Sequence, residues 1–260
     1  MKNNSDYNFF KEHGFVVLKK IYSKKECREI LKALLECSDL NFSQMLNVHK
    51  KEFLISQVSK KINTADSMVI RSDLVKRYFY LSELFLNVFK KKLFTKKIDN
   101  LYKKECVGLQ TQVIFKKPKT RFGKQVYLPH QDNSYAQNKN GLFFTSHLLL
   151  ENANIQNGTI YVYDKSHTVG LKKFIPTKSY GNSKKAGNEI DVKTINEKYK
   201  KIAIKGQVGD ILVMHGNLIH GSYENMTHNK SRTTFCLCAI PKNEKFIKGN
   251  NARREVFRLR

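Results

Sequence analysis

The stretch Gly206-Gln207-Val208-Gly209-Asp210-Ile211-Leu212-Val213-Met214-His215-Gly216-Asn217-Leu218-Ile219-His220-Gly221-Ser222 carries most of the information about this chain. A Gly-Asp turn feeds an apolar, β-branched run, and a glycine-flanked histidine follows it. Arg232 comes twelve residues after His220, at the start of a further strand over 233–239. Outward from here the same texture recurs. Short runs rich in β-branched and aromatic residues cover 107–115, 142–150, 159–164, 202–205, 211–215 and 233–240, separated by Gly, Asn and Asp. Repeated short strands of this kind predict a sandwich or jelly roll.

The second informative stretch is Leu128-Pro129-His130-Gln131-Asp132. A His and an Asp two apart on an extended segment point to the same side, so an imidazole nitrogen and a carboxylate oxygen are able to share one cation. The pair alone is weak, because His-x-Asp occurs by chance in surface turns, and a distant histidine must complete it. His220 is the candidate. Three ligands on one face leave the opposite positions of an octahedral ion open, as a non-haem iron site requires, and Arg232 is placed to hold a carboxylate bidentately.

Upstream the chain reads as helix. Ser23-Lys24-Lys25-Glu26 is a capping box, followed by Cys27, Ile30, Leu31, Leu34 and Leu35 on one helical face. Before it, a short helix ends at Gly14 and a strand runs to Leu18. Leu74, Tyr78, Leu81 and Phe85 mark another helical stripe, for which core packing is sufficient explanation. Residues 172–200, rich in Lys, Asn, Ser and Gly, read as an exposed, lid-like basic insertion. There is no internal repeat and no Pro/Ser-rich linker. The expectation is one domain over 1–260, a helical region of about 1–105 packed on a β core of about 106–240.

Composition excludes several classes. With 260 residues, 40% hydrophobic and 11% aromatic, the chain has enough apolar content for a buried core and against disorder. No apolar run reaches the roughly 18 residues of a membrane helix. No secretory signal is visible at the start, which gives a cytoplasmic expectation, and five scattered cysteines read as reduced core thiols. The 48 basic and 22 acidic residues leave a net charge of +26, either an anion-attracting field or a compositional bias toward Lys and Asn. No compact cluster of Arg and stacking aromatics predicts specific nucleic-acid binding.

Taken in order, four segments make the chain resemble the phytanoyl-CoA dioxygenase-like Fe(II)/2-oxoglutarate dioxygenases. They are Phe10 to Leu18, Pro129 to Asp132, Asn157-Gly158-Thr159 through Ser166-His167-Thr168-Val169-Gly170, and Gly209-Asp210 through His220-Gly221-Ser222 to Arg232. The resemblance implies a mainly β fold with N-terminal helices and a double-stranded β-helix (cupin-like jelly-roll) core. It implies His130, Asp132 and His220 as Fe(II) ligands. Arg232 would hold the distal carboxylate of 2-oxoglutarate, Ser222 would add a hydroxyl to it, and O2 would be the other co-substrate.

Gln112, and with it Gln110, would face the barrel interior, and His147 stands where relatives often carry an aromatic residue, in either a structural or a pocket-lining role. Asp164-Lys165 replaces the family's usual Pro-Gly before Ser166-His167. The implied activity is hydroxylation of a C–H bond of a small-molecule metabolite, anionic if the insertion lysines close over it. A catalytically silent basic jelly roll and a nucleic-acid-modifying dioxygenase are the alternatives. Of the other histidines, His167 is expected to fasten its own turn, His215 to be a core or supporting group, His228 to lie in an exposed loop, and His13 and His49 to be surface residues.

Overall fold

A computed structural model describes residues 5–39, 69–71, 86–119, 123, 126–176, 188–249 and 254–260. The chain opens with α1 (Ser5–His13), β1 (Phe15–Leu18) and α2 (Lys24–Asp39). The capping box is formed: the Glu26 N–H donates to Ser23 Oγ at 3.1 Å, and the Ser23 N–H donates to Glu26 Oε2 at 2.7 Å. Gly14 ends α1 with φ +77°, and a Cβ there would fall 2.4 Å from the His167 ring, so the helix-to-strand turn tolerates no side chain. After β2 (Val69–Arg71) and α3 (Lys92–Tyr102) the β core begins. The expected stripe Leu74, Tyr78, Leu81, Phe85 lies outside the described residues, as do Leu34, Leu35 and Cys37 of α2 as far as side chains go, and His49.

The remaining strands are β3 (Cys106–Lys116), β4 (Tyr127–His130), β5 (Phe144–Leu149), β6 (Ile160–Tyr163), β7 (Ile175–Pro176), β8 (Asn188–Glu189), β9 (Lys201–Ala203), β10 (Ile211–His215), β11 (His220–Ser222) and β12 (Arg232–Pro241). They form two six-stranded sheets, β1-β10-β5-β12-β3-β2 and β7-β8-β4-β11-β6-β9, with every pairing antiparallel. From β3 to β6 and again from β10 to β12, successive strands alternate between the sheets. That alternation is the jelly-roll topology the strand pattern predicted.

Alternation along the large sheet divides its side chains between two layers. Val113, Phe115, Ile211, Val213, Phe235 and Leu237 pack outward against Phe10 of α1 and against Phe94, Ile98 and Leu101 of α3. Leu212 and Met214 point the other way, onto Ile160 and Val162 of the small sheet. The helices thus cover one face of the large sheet and leave its other face to line the barrel. Each fully buried aromatic on the covered face, such as Phe94 or Phe235 at 0% exposure, contributes about 1.5–3 kcal/mol.

Two expectations need correction. The 172–200 insertion is not wholly an exposed loop, because β7 and β8 extend the small sheet, β8 pairs with β4 at His130↔Glu189, and Ile190 is buried. His13 is not a free surface residue either, since its Nδ1 sits 2.7 Å from Asp164 Oδ1 and its ring stacks on Phe9. The four cysteines among the described residues are free and buried, as expected.

The Gly-Asp turn ties β10 to the start of the chain. Buried Asp210 accepts from the Lys20 N–H, the Gln207 N–H and Lys19 Nζ, each at 3.0 Å. Burial opposes its charge, but these three donors outweigh that and hold its pKa below the usual carboxylate value. The stabilisation is therefore present above the unfolded pKa and disappears as pH falls through the folded one. Asp210→Ala should lower stability by about 1–3 kcal/mol at neutral pH, and denaturant titrations should show that deficit shrinking below about pH 4.

Candidate metal centre

β11 lies between β4 and β6 in the small sheet, and its pairing with β4 sets His220 directly opposite His130. Their rings stand 4.3 Å apart between centroids. Each histidine is locked by its inner nitrogen: His130 Nδ1 donates to the Leu128 carbonyl at 2.7 Å, and His220 Nδ1 donates to the Leu218 carbonyl at 3.0 Å. A carbonyl only accepts, so the proton resides on Nδ1 and both Nε2 lone pairs face outward.

Those lone pairs converge on Asp132. His130 Nε2 is 3.6 Å from Asp132 Oδ1 and His220 Nε2 is 3.5 Å from Asp132 Oδ2. Both distances are longer than a normal hydrogen bond. All three ligand atoms lie within 4.8 Å of one another. Two imidazole lone pairs and a carboxylate aimed at one point repel unless a cation sits among them, so the donor set fits a divalent metal. Thr145 Oγ1 on β5 donates to Asp132 Oδ2 at 2.7 Å and orients the carboxylate from the facing sheet.

The local route to this geometry differs from the expected one. Asp132 is not on an extended segment; it takes helical backbone angles (φ −63°, ψ −29°) and caps the short helix α4 (Asn133–Ala136). The turn, rather than the strand pleat, swings its carboxylate back under His130. Gln131 points away and pins the turn, donating to the carbonyls of Gly170 at 2.8 Å and Asn217 at 2.6 Å, while its Oε1 accepts from the Lys172 N–H at 2.8 Å.

On the other side, Ser166 Oγ accepts from the Ile219 N–H at 2.9 Å, steadying the residue before His220. Lys165 takes the left-handed conformation there, φ +63°, at the position where the resembled family carries Gly. His167 Nε2 bonds the Lys11 carbonyl at 3.1 Å, so it fastens α1 and not its own turn. His215 Nδ1 accepts from the Asn217 N–H at 3.1 Å, a supporting role as expected, and His228 is exposed.

Electrostatics suit metal binding at neutral pH. Burial, reinforced by the neighbouring His220, pushes the His130 pKa down to about 4, so its Nε2 is free to ligate. Burial works against the Asp132 charge, yet His220, His130 and the Thr145 hydroxyl keep its pKa below the ordinary value.

The other predicted residues line the interior of the same barrel. Arg232 opens β12 in register with Lys116, donating from Nε to the Gly158 carbonyl at 3.1 Å and from Nη1 to Thr234 Oγ1 at 3.3 Å. Two places further along the same face is Cys236, in register with both Gln112 and His147. Its Sγ lies 2.9 Å from His147 Nδ1, and burial drives the His147 pKa down to about 3, leaving the ring neutral. Gln110 is buried opposite Cys238. Ser222 is buried, and its hydroxyl accepts from Lys116 Nζ at 3.0 Å. Sequence reasoning passed over Thr145 and Lys116. The signal for Lys116 was its parity, since it continues the inward series Gln110, Gln112, Ile114.

The family model for phytanoyl-CoA dioxygenase (PhyH) matches residues 10–234. This chain belongs to the phytanoyl-CoA dioxygenase family. It is 31% identical to a phytanoyl-CoA dioxygenase of Arabidopsis thaliana over 142 residues, 52% of this chain and 44% of that protein. It is 32% identical to phytanoyl-CoA dioxygenase 1 of Oryza sativa subsp. japonica over 146 residues, 54% of this chain and 48% of that protein. The matches thus span about half the length of these curated relatives.

Among solved structures, the epimerase SnoN in complex with Fe3+, alpha ketoglutarate and nogalamycin RO superposes with a TM-score of 0.64 at 12% identity, covering 98% of both chains. EctD from S. alaskensis with 2-oxoglutarate and 5-hydroxyectoine gives 0.62 at 16% identity over 95% of this chain and 78% of that one. These two likenesses show the shared fold.

Cobalt(II), a spectroscopic substitute for iron(II), should bind the apoprotein one to one with visible ligand-field bands. Asp132→Ala or His220→Ala should abolish the bands, whereas Thr145→Val should weaken metal affinity by about 10- to 100-fold. Unaltered titrations in the two alanine variants would show that the metal binds elsewhere.

Proposed function

We propose that this family member is an iron(II)- and 2-oxoglutarate-dependent dioxygenase that hydroxylates a C–H bond of a small molecule, with the activity carried by one domain. The observation that carries the reading is the convergence of His130 Nε2, His220 Nε2 and Asp132, whose ligand atoms lie within 4.8 Å of one another, in a barrel whose interior also holds Arg232. The matched family and the iron- and alpha-ketoglutarate-bound neighbour support it. Free buried cysteines and the lack of any helix long and apolar enough to cross a membrane, among the described residues, agree with a cytoplasmic enzyme.

In this reading His130, Asp132 and His220 hold the iron, whose chemistry when bound is the activation of O2 coupled to decarboxylation of 2-oxoglutarate. Arg232 supplies the anchor for the co-substrate's distal carboxylate. Its remaining guanidinium N–H groups meet no carboxylate among the described residues, and its planar fork matches one. Ser222 stands beside that anchor, and neutral His147 and Gln112 line the interior along the same inward-facing rows. With both imidazoles held by Nδ1 to carbonyls, the protein presents both Nε2 atoms in fixed orientation, so the ligands are preorganised.

The substrate is anionic in this reading. The insertion, through β8, lies against His130, and its exposed lysines flank that strand in sequence, Lys173 before it and Lys193, Lys198 and Lys200 after it. A positive rim there raises the local concentration of a carboxylate- or phosphate-bearing molecule.

Two outcomes test the proposal. Purified protein with Fe(II) and O2 should convert 2-oxoglutarate to succinate and CO2. Arg232→Ala should raise the 2-oxoglutarate KM by about 100-fold, with Arg232→Lys intermediate and iron affinity unchanged in both. Absence of any turnover in iron-loaded, folded protein would favour a silent relative. Neutralising Lys173, Lys193, Lys198 and Lys200 together should raise the KM of an anionic substrate at low salt and leave substrate-free decarboxylation unchanged. A substrate KM indifferent to both ionic strength and those changes would remove the anionic assignment.

A further inference from the structure

Lys116, the last residue of β3, is 0% exposed and lies in register beside Arg232, which is 2% exposed. Its ammonium donates to Ser222 Oγ at 3.0 Å and to the Tyr223 carbonyl, and it stands 6.0 Å from the centre of the Tyr127 ring. Two basic side chains are thus enclosed side by side, and among the described residues neither forms an ion pair. The acidic groups whose fields reach them are Glu224 for Lys116 and Glu151 for Arg232, and Glu151 is engaged by the Thr233 N–H at 2.8 Å. The two side chains can both carry their charge in this enclosure only if an anion joins them, so the arrangement suits one.

The fold is built around this lysine. Gly158 has φ +83°, and a Cβ there would lie 2.8 Å from Lys116 Cδ and 2.9 Å from its Cε. The missing side chain is the space the lysine stem occupies. The same Gly158 offers its carbonyl to Arg232 Nε, so one turn seats both cations. Asn225 Nδ2 fixes the strand end by donating to the Lys116 carbonyl at 2.9 Å.

We propose that Lys116 and Arg232 form a two-cation clamp on the distal carboxylate of the co-substrate, with Lys116 a binding and specificity-determining residue for a dicarboxylic 2-oxo acid. This rests on the reading of Arg232 as the co-substrate anchor. Arg232 offers a planar fork and Lys116 a point charge, and a carboxylate has lone pairs for both. Ser222, assigned from the sequence as a contact of its own, then also serves to orient Lys116.

The clamp is linked to a proton. With no anion bound, burial first and the Arg232 charge second push the Lys116 pKa down to about 6, so the amine is largely neutral at pH 7.5. Besides Arg232, the titratable side chains near it are Tyr127 and the acidic Glu224. A carboxylate reverses the balance, and Lys116 takes up a proton as the ligand binds. Affinity for 2-oxoglutarate is then flat below about pH 6 and falls by up to about tenfold per pH unit above it, until the pKa of the bound state is reached.

Anaerobic calorimetry on the full chain loaded with cobalt(II) tests this, using 2-oxoglutarate and 2-oxopentanoate, which lacks the distal carboxylate. The wild type should prefer 2-oxoglutarate and take up close to one proton near pH 7.5, read from buffers of different ionisation enthalpy. Lys116→Met should weaken 2-oxoglutarate by about 10- to 100-fold, abolish the proton uptake and leave 2-oxopentanoate and metal affinity within about twofold. Equal losses for the two acids, or unchanged 2-oxoglutarate affinity, would overturn the clamp. Should the variant fail to fold, the absence of proton uptake in the wild type would overturn it equally. If the wild type bound 2-oxoglutarate no better than 2-oxopentanoate, the anchor role of Arg232 would fall as well.

Discussion

Everything at the candidate site depends on one pairing, that of β11 with β4, which places His220 opposite His130. The two strands are short, and their positions are imposed by neighbours: β6 on the far side of β11, and the Ser166 and Gln131 side chains that hold the flanking turns. Because each imidazole donates its Nδ1–H to a carbonyl two residues back, the tautomer is decided by backbone geometry and not by solvent. The two Nε2 atoms then face Asp132. A metal ion is the physical answer to that constraint, and fixed ligands oppose collapse of the site when the ion is absent.

Elsewhere in the barrel the constraint is the opposite, two basic side chains in a closed space. Lys116 and Arg232 sit where β3 and β12 pair, roofed by the turn that carries Gly158. A cation-seeking cluster of ligands and an anion-seeking pair of cations within one barrel match a ligand that chelates metal at one end and carries a carboxylate at the other. Neither half alone specifies such a molecule. Between them the lining is neutral, because burial keeps His147 uncharged and raises the Cys236 thiol far above its usual range.

Much of this was legible in the amino-acid order. The strand runs were readable because the large sheet is covered by helices on one face and by barrel packing on the other, so β3, β5, β10 and β12 are rich in apolar residues. The capping box and Gly14 were readable because their signals are local. Asp132 does face His130 as expected, but not by the expected route. Its convergence with His130 comes from a helical turn whose stability depends on Gln131 bonding to residues distant in sequence, and no local pattern announces that. His13 and His167 were underestimated for the same reason, since their partners Asp164 and Lys11 lie across the fold. Lys116 was hidden by composition. In a chain with 48 basic residues one more lysine carries no signal, and only the parity of β3 marks it as inward-facing.

The most direct measurement is a crystal structure of the protein grown anaerobically with Fe(II) and 2-oxoglutarate, with the metal located by its anomalous scattering. One iron should be bound by His130 Nε2, Asp132 and His220 Nε2, with the distal carboxylate of 2-oxoglutarate against both Arg232 and Lys116. Iron on any other residues, or a 2-oxoglutarate whose distal carboxylate lies away from Arg232, would contradict this arrangement.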